Sequence, residues 1–329
     1  MIKNASILIL KLCVSATLFY LLVSKVGGKT LLHNIRLLDP GLFLVAVVLY
    51  IVASYVSTIR WKLLIPSKNK TSRLFSIYMI GSFFNTYLPG MIGGDAVKAY
   101  YLSKELHSVE SALKTEDQEK TTSLAVVIAS IFMDRYIGLS ALLALGMVTF
   151  PFGVRYLEKA SITWPVIWLV PAATVVFVAV SFALFKFRVG ARLKFIFKTY
   201  QYLQFYRSRK KILIKAFAYS IIVQFIGISA VYILAKGLSL DTPFLSLLIF
   251  LPIIILITAL PISISGIGLR EGAFIILLGS TGIPAEKALT LSITWFLSVF
   301  VAGIWGLLEY LRFKTIFGRE KKQEPFEIS

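Results

Sequence analysis

Six stretches of this sequence, residues 5–23, 41–59, 122–150, 164–185, 216–235 and 290–311, are predominantly apolar over the length that a helix needs to cross hydrocarbon. About 20 residues suffice for one crossing, because each helical residue advances about 1.5 Å through a core about 30 Å thick. A soluble fold could not bury so much apolar surface: 57% of the 329 residues are hydrophobic and 16% are charged. An ordinary soluble domain carries about 25% charge. The reading is therefore an all-α polytopic membrane protein. Helices are the only open-ended elements that satisfy their own backbone polar groups in lipid.

Two further apolar stretches, 74–88 and 244–260, each run into a Leu-Pro pair. Beyond the prolines lie glycine-rich turns that end in charge, Pro89-Gly90-Met91-Ile92-Gly93-Gly94-Asp95 and Pro261-Ile262-Ser263-Ile264-Ser265-Gly266-Ile267-Gly268-Leu269-Arg270-Glu271. Proline removes a backbone donor and glycine loosens the helix, so both segments should break there. The stretches after the breaks, 96–103 and 272–283, are too short to cross. The expected architecture is thus about six full spans plus two broken re-entrant helical hairpins, 74–103 and 244–283.

Charge sets the orientation. The net charge of +19 would suggest nucleic acid in a soluble chain, but here the basic residues concentrate in loops. Residues 60–73 carry five basic and no acidic residues, 186–215 carry ten and none, and 312–329 add five more basic residues. The positive-inside rule places all three in the cytoplasm, with both termini. On this arrangement 24 basic residues fall on inner segments and 6 on outer ones. For 60–73 and 186–215 to lie on one side, 74–103 must enter and return. The same count makes 244–283 a hairpin from the opposite face.

The order span, span, hairpin, span then occurs twice, over 1–150 and, from the opposite face, over 164–311. That is the pattern of an inverted repeat, in which broken helices from two halves meet around a site. Residues 186–215, inside the second repeat, are expected to form a basic cytoplasmic interfacial segment, and 312–329 a charged cytoplasmic tail. In the former, Leu193, Ile196, Phe197 and Tyr200 follow i, i+3, i+4, i+7 spacing, as expected of an amphipathic helix on an anionic leaflet.

Charges inside hydrocarbon cost several kcal/mol unless paired or hydrated, so they point to function. Asp95 follows two glycines at the first hairpin, Asp134 and Arg135 are adjacent within 122–150, and Arg270 and Glu271 close the second hairpin. One reading is a polar cavity for an anionic headgroup. Arg135 and Arg270 would hold phosphate in their planar forks, while Asp95, Asp134 and Glu271 would balance them when the site is empty. Helices starting after each turn would add backbone N–H groups and a positive dipole end. The other reading is that these charges pair internally and only lock the hairpins. Asn85, one turn before Pro89, suits either the broken backbone or a ligand.

Taken together, these motifs resemble the flippase-like membrane domain of the lysylphosphatidylglycerol synthase family, including its stand-alone members. The resemblance rests on Asn85-Thr86-Tyr87-Leu88-Pro89 running into Gly93-Gly94-Asp95, on Asp134-Arg135 followed by Gly138, and on Pro261 leading to Gly266-Ile267-Gly268-Leu269-Arg270-Glu271. It covers nearly the whole chain. It implies a domain that moves, or helps move, lipids between leaflets. The expected substrate-binding residues are Asn85, Pro89, Gly93, Gly94, Asp95, Asp134, Arg135, Ser263, Gly266, Gly268, Arg270 and Glu271. Two-domain relatives transfer an amino acid from aminoacyl-tRNA to phosphatidylglycerol in a soluble C-terminal domain. Only residues 312–329 follow the last expected span here, so that activity is not carried over.

Enzyme chemistry finds little support in the residues. Gly93-Gly94-Asp95 is superficially similar to the G-x-G-D of intramembrane aspartyl proteases, but residue 92 is Ile and no Tyr-Asp pair occurs. Ser263 or Ser265 as nucleophile would need a nearby base, and neither His33 nor His107 lies in an expected span. The single cysteine, Cys13, excludes a disulfide framework and a cysteine metal site. No metal-ligand spacing and no ATP-binding motif is present, so no cofactor is expected. No cleavage site follows 5–23, and the chain is expected to stay in the cell (inner) membrane. The expected partners are membrane lipids with an anionic headgroup. The alternative is an accessory subunit of a membrane glycosyltransferase or lipid-modifying enzyme.

Overall fold

The computed structural model describes residues 2–65, 69–87, 93–110, 116–159, 166, 168–186, 206, 209–260 and 262–323. Pro89, Pro261 and the expected amphipathic helix around 193–200 lie outside these residues. Among those described, every extended element is helical: α1 Ile2–Val26, α2 Gly28–Arg36, α3 Pro40–Leu64, α4 Thr71–Tyr87, α5 Gly93–Glu110, α6 Glu116–Lys159, α7 Leu169–Lys186, α8 Lys210–Gly237, α9 Phe244–Thr258, α10 Leu269–Gly279 and α11 Ala285–Gln323. The all-α expectation holds.

Four of the six expected spans are single helices long and apolar enough to cross a bilayer, within α3, α6, α8 and α11. The fifth is a bent pair: α1 and α2 meet at an angle of 80° across Gly27. Gly27 has φ of 90°, a backbone that glycine adopts without a Cβ penalty. The sixth, α7, is apolar but shorter. Local chemistry sets several of the ends. Asp39 caps α3 by accepting from the Leu42 N–H at 2.9 Å, with Pro40 in the first helical position, where its missing donor costs nothing. Helix α6 continues past residue 150, the expected end of its span, and carries Pro151 inside it. A membrane helix tolerates proline where neighbours meet the freed backbone groups.

Both hairpins are helix–break–helix units. In the first, the Asn85 side chain reaches Gly94, Lys98 lies on Tyr78, and Arg73 bonds Glu105, so α4 and α5 run antiparallel and α5 returns the way α4 came. Their backbones touch: a Cβ on Gly94 would stand 2.0 Å from the Gly81 carbonyl oxygen. Glycine is the residue that permits such an approach. In the second, Gly266 and Gly268 hold φ of 73° and 85°. Helix α1 anchors that turn, because Ser15 Oγ accepts from the Ile264 N–H at 2.8 Å and Leu18 packs where a Gly268 side chain would be.

The packing has a regular plan. Helix α3 packs along α8; α4 lies on α11 as α9 lies on α6; α3 lies on α11 as α8 lies on α6; and α5 lies on α6 as α10 lies on α11. Gly306 of α11 sets the closeness of one such contact, since a Cβ there would meet the Met79 carbonyl oxygen of α4 at 2.1 Å. One buried apolar cluster joins α8, α9 and α10 with parts of α3 and α11, and another joins α3, α4, α5 and α6 around Trp61, Leu74, Ile77 and Leu102. Large apolar side chains also face outward, for example Val175, Val178 and Phe182 on α7, as a lipid-facing surface requires.

Candidate functional site

Helices α3, α4, α5, α6 and α8 line a cavity of about 280 Å³. Its wall carries hydroxyls from Tyr50, Ser54, Ser57, Tyr78, Ser82 and Thr86, the amide of Asn85, and two cations, Lys98 and Arg135. Helical spacing puts Ser54 and Ser57 on one face of α3, and Tyr78, Ser82, Asn85 and Thr86 on one face of α4.

The two cations share one carboxylate. Arg135 holds Asp95 with its fork, Nε to Oδ2 and Nη2 to Oδ1, both at 3.0 Å. Lys98 Nζ stands 3.5 Å from the same Oδ1 and 3.9 Å from the centre of the Tyr78 ring. The side chain of Lys98 is 4% exposed, that of Arg135 is 55% exposed, and that of Asp95 lies between them at 18%. Asp95 is the third residue of α5, where the N–H groups and dipole of a helix start favour negative charge. Asn85 Oδ1 accepts the Gly94 N–H at 3.0 Å and so takes up one of the free donors at that helix start.

Asp134 makes its direct bond elsewhere, although it adjoins Arg135 in sequence. It accepts from Arg60 Nε at 2.8 Å, and Arg60 Nη1 donates to Ser220 Oγ at 2.9 Å. Both side chains of the pair are almost fully buried, at 7% and 6% exposure. The assignment of Arg60 to the cytoplasmic loop 60–73 is therefore corrected. Arg60 is a buried residue of α3, and the loop begins after Leu64. The charge asymmetry loses one inner residue and keeps its direction. Gly138, one turn beyond Asp134, faces the guanidinium, and a Cβ there would rest in ordinary contact 3.4 Å from Arg60 Nη1.

The second hairpin carries its own closed group. Glu271 accepts from Arg270 Nη2 at 2.5 Å, from Ser292 Oγ at 3.3 Å and from the Gly268 N–H at 2.7 Å. It is the third residue of α10, as Asp95 is of α5. Arg270 also lies over the Phe296 ring at 4.8 Å and is 11% exposed. None of these residues lines the cavity among the described residues. Ser263 is buried there with its Oγ unpartnered. The structure thus joins Asn85, Gly94, Asp95 and Arg135 in one site, while Gly268, Arg270 and Glu271 form a second group, with Ser263 and Gly266 in the same turn, and Asp134 belongs to a third. Helix α11 runs between the two hairpins: Tyr87 of α4 donates to the Phe300 carbonyl at 2.9 Å, one turn from Phe296.

Lys98 and Arg60 are the functional candidates that sequence reasoning missed. Both had a signal. Lys98 follows Asp95 by three residues, one helical turn on the same face. Arg60 follows Ser54 and Ser57 at helical spacing, which extends a polar face into the span.

Part of the chain, 51% of its length, is 24% identical over 172 residues to the UPF0104 membrane protein MJ1595 of Methanocaldococcus jannaschii. That match spans about half of the relative, 48% of its length. Residues 8–306 match the family described as the Lysylphosphatidylglycerol synthase TM region, a match that takes in both hairpins and all three charged groups. This multi-pass membrane protein belongs to that family.

Proposed function

We propose that the protein moves an anionic lipid between leaflets, holding its headgroup in the α3–α6 cavity, and does so without covalent chemistry. One observation carries the reading: a hydroxyl-lined cavity inside a membrane protein holds two cations against one carboxylate. A surplus cation in a low-dielectric setting attracts an anion strongly, and the Arg135 fork matches a phosphate as well as it matches Asp95. The second hairpin, whose charges are already satisfied, serves to lock its turn against α1 and α11. The paired packing of α3 with α8, and of α4 on α11 with α9 on α6, supports an inverted repeat that relates residues 1–150 to 164–311. In such transporters one half rocks against the other around a fixed site. The charge asymmetry supports cytoplasmic termini in a cell membrane.

The test is reconstitution of the purified protein into liposomes with fluorescent phospholipids and polyprenyl-linked lipids. Faster leaflet exchange of at least one anionic lipid than in protein-free liposomes is expected. No exchange across the panel, together with stable co-purification of a glycosyltransferase, would replace this reading with that of an accessory subunit.

A further inference from the structure

We infer that Asp95 sets the charge of the headgroup the cavity accepts, and that the accepted headgroup is a singly charged phosphodiester. The inference rests on the lipid-transport reading above and deepens it. It comes from a charge count at the cavity. Lys98 and Arg135 contribute two positive charges and Asp95 one negative, which leaves a surplus of one. Nothing else among the described residues alters this count. Arg60 and Asp134 neutralise each other at 2.8 Å, α4 ends its charge at Arg73 with Glu105, and the cations of α8 lie outside the cavity wall. The hairpin tip, residues 88–92, contains no ionisable side chain.

The geometry also states how the exchange proceeds. Asp95 holds Arg135 through two 3.0 Å bonds and Lys98 through a longer 3.5 Å contact. Arg135 is the exposed member, while Lys98 is buried and fixed over Tyr78 at 3.9 Å. An incoming phosphodiester takes the Arg135 fork, and Asp95 stays with Lys98. Each cation then has one anion. A dianionic phosphomonoester would leave one negative charge uncompensated in the cavity, and a zwitterionic headgroup would bring a cation against Lys98.

Binding of fluorescent lipids of matched acyl chains to the full-length protein in zwitterionic nanodiscs at pH 7.5 tests this. Wild type should bind phosphatidylglycerol about tenfold better than phosphatidylcholine, about the factor that 1.4 kcal/mol produces. Phosphatidic acid, a phosphomonoester able to carry a second negative charge, should bind no better than phosphatidylglycerol. Asp95→Asn raises the surplus to two and should shift the ratio toward phosphatidic acid by about tenfold. Asp95→Asn with Lys98→Met returns the surplus to one and should restore the wild-type ratio. An unchanged ratio in Asp95→Asn, or a double variant that behaves like the single, overturns the inference. If Asp95→Asn does not fold, Lys98→Met alone decides. It removes the surplus and keeps the Asp95–Arg135 pair, so the preference for phosphatidylglycerol over phosphatidylcholine should vanish, and its persistence overturns the inference. Soluble glycerophosphoglycerol should compete only at far higher concentration; equal potency would make the ligand a free phosphodiester and overturn the lipid assignment. Wild type that shows no preference for any anionic lipid would sink the transport reading itself, which is a different result from an unshifted ratio.

Discussion

The Arg60–Asp134 pair offers the sharpest test of how this protein handles charge inside the membrane. Both side chains are almost fully buried, they meet at 2.8 Å, and Ser220 takes a second Arg60 donor at 2.9 Å. Removal of one partner leaves the other charged, desolvated and uncompensated. For buried pairs that costs about 3–5 kcal/mol, and the lost Ser220 bond adds about 1 kcal/mol for Arg60 variants. Arg60→Met should therefore lower the folded-to-unfolded ratio by at least about a hundredfold. Asp134→Leu should do much the same. The double variant Arg60→Met/Asp134→Leu replaces the pair with apolar groups of related size, and such replacements are often neutral or stabilising. It should recover most of the loss. The assay is thermal and denaturant unfolding in detergent, with leaflet exchange measured on every variant that folds. The pair stands outside the proposed exchange at Asp95, so the double variant should also transport. Either of two results refutes the reasoning: Arg60→Met as stable as wild type, or a double variant no more stable than the single ones.

Three further outcomes are expected. Arg135→Lys keeps the charge but lacks the fork that holds Asp95 at two 3.0 Å contacts, so exchange should fall in folded protein, and Arg135→Ala should lower it further. Equal transport by Arg135→Lys and wild type would remove bidentate binding from the mechanism. Gly94→Ala places a Cβ 2.0 Å from the Gly81 carbonyl oxygen, and the forced backbone shift should cost about 1–3 kcal/mol in an unfolding measurement; Gly279→Ala, which meets no atom within 4 Å, is the matched control. Single cysteines on a Cys13→Ser background should report residues 66–70, 104–120 and 209–215 and the C-terminal tail as cytoplasmic, whereas a cysteine at 60 should resist aqueous reagents, because Arg60 is 6% exposed. External labelling of 104–120 would remove the first hairpin and with it the inverted repeat.

Much of this protein was legible before any coordinates, because the bilayer restricts what a chain can do. An apolar run of about 20 residues has one stable form in hydrocarbon, so the helices at 41–59, 122–150, 216–235 and 290–311 follow from composition along the chain alone. Proline and glycine act locally as well, and the breaks near 89 and 261 could be read from single residues. The rarity of charge in such a setting singled out Asp95, Asp134, Arg135, Arg270 and Glu271. Their grouping was a different matter. Asp134 and Arg135 look like a pair in sequence, but neighbours on a helix point about 100° apart, and each finds its partner on another helix. Arg60 read as the first residue of a basic loop, and its burial depends on α8 bringing Ser220 within 2.9 Å, across 160 residues of chain. Lys98 became part of the site because α4 folds back along α5 and sets Tyr78 beneath its ammonium. In low dielectric a charge must be compensated at contact distance, and only the packing of distant helices decides which groups stand that close.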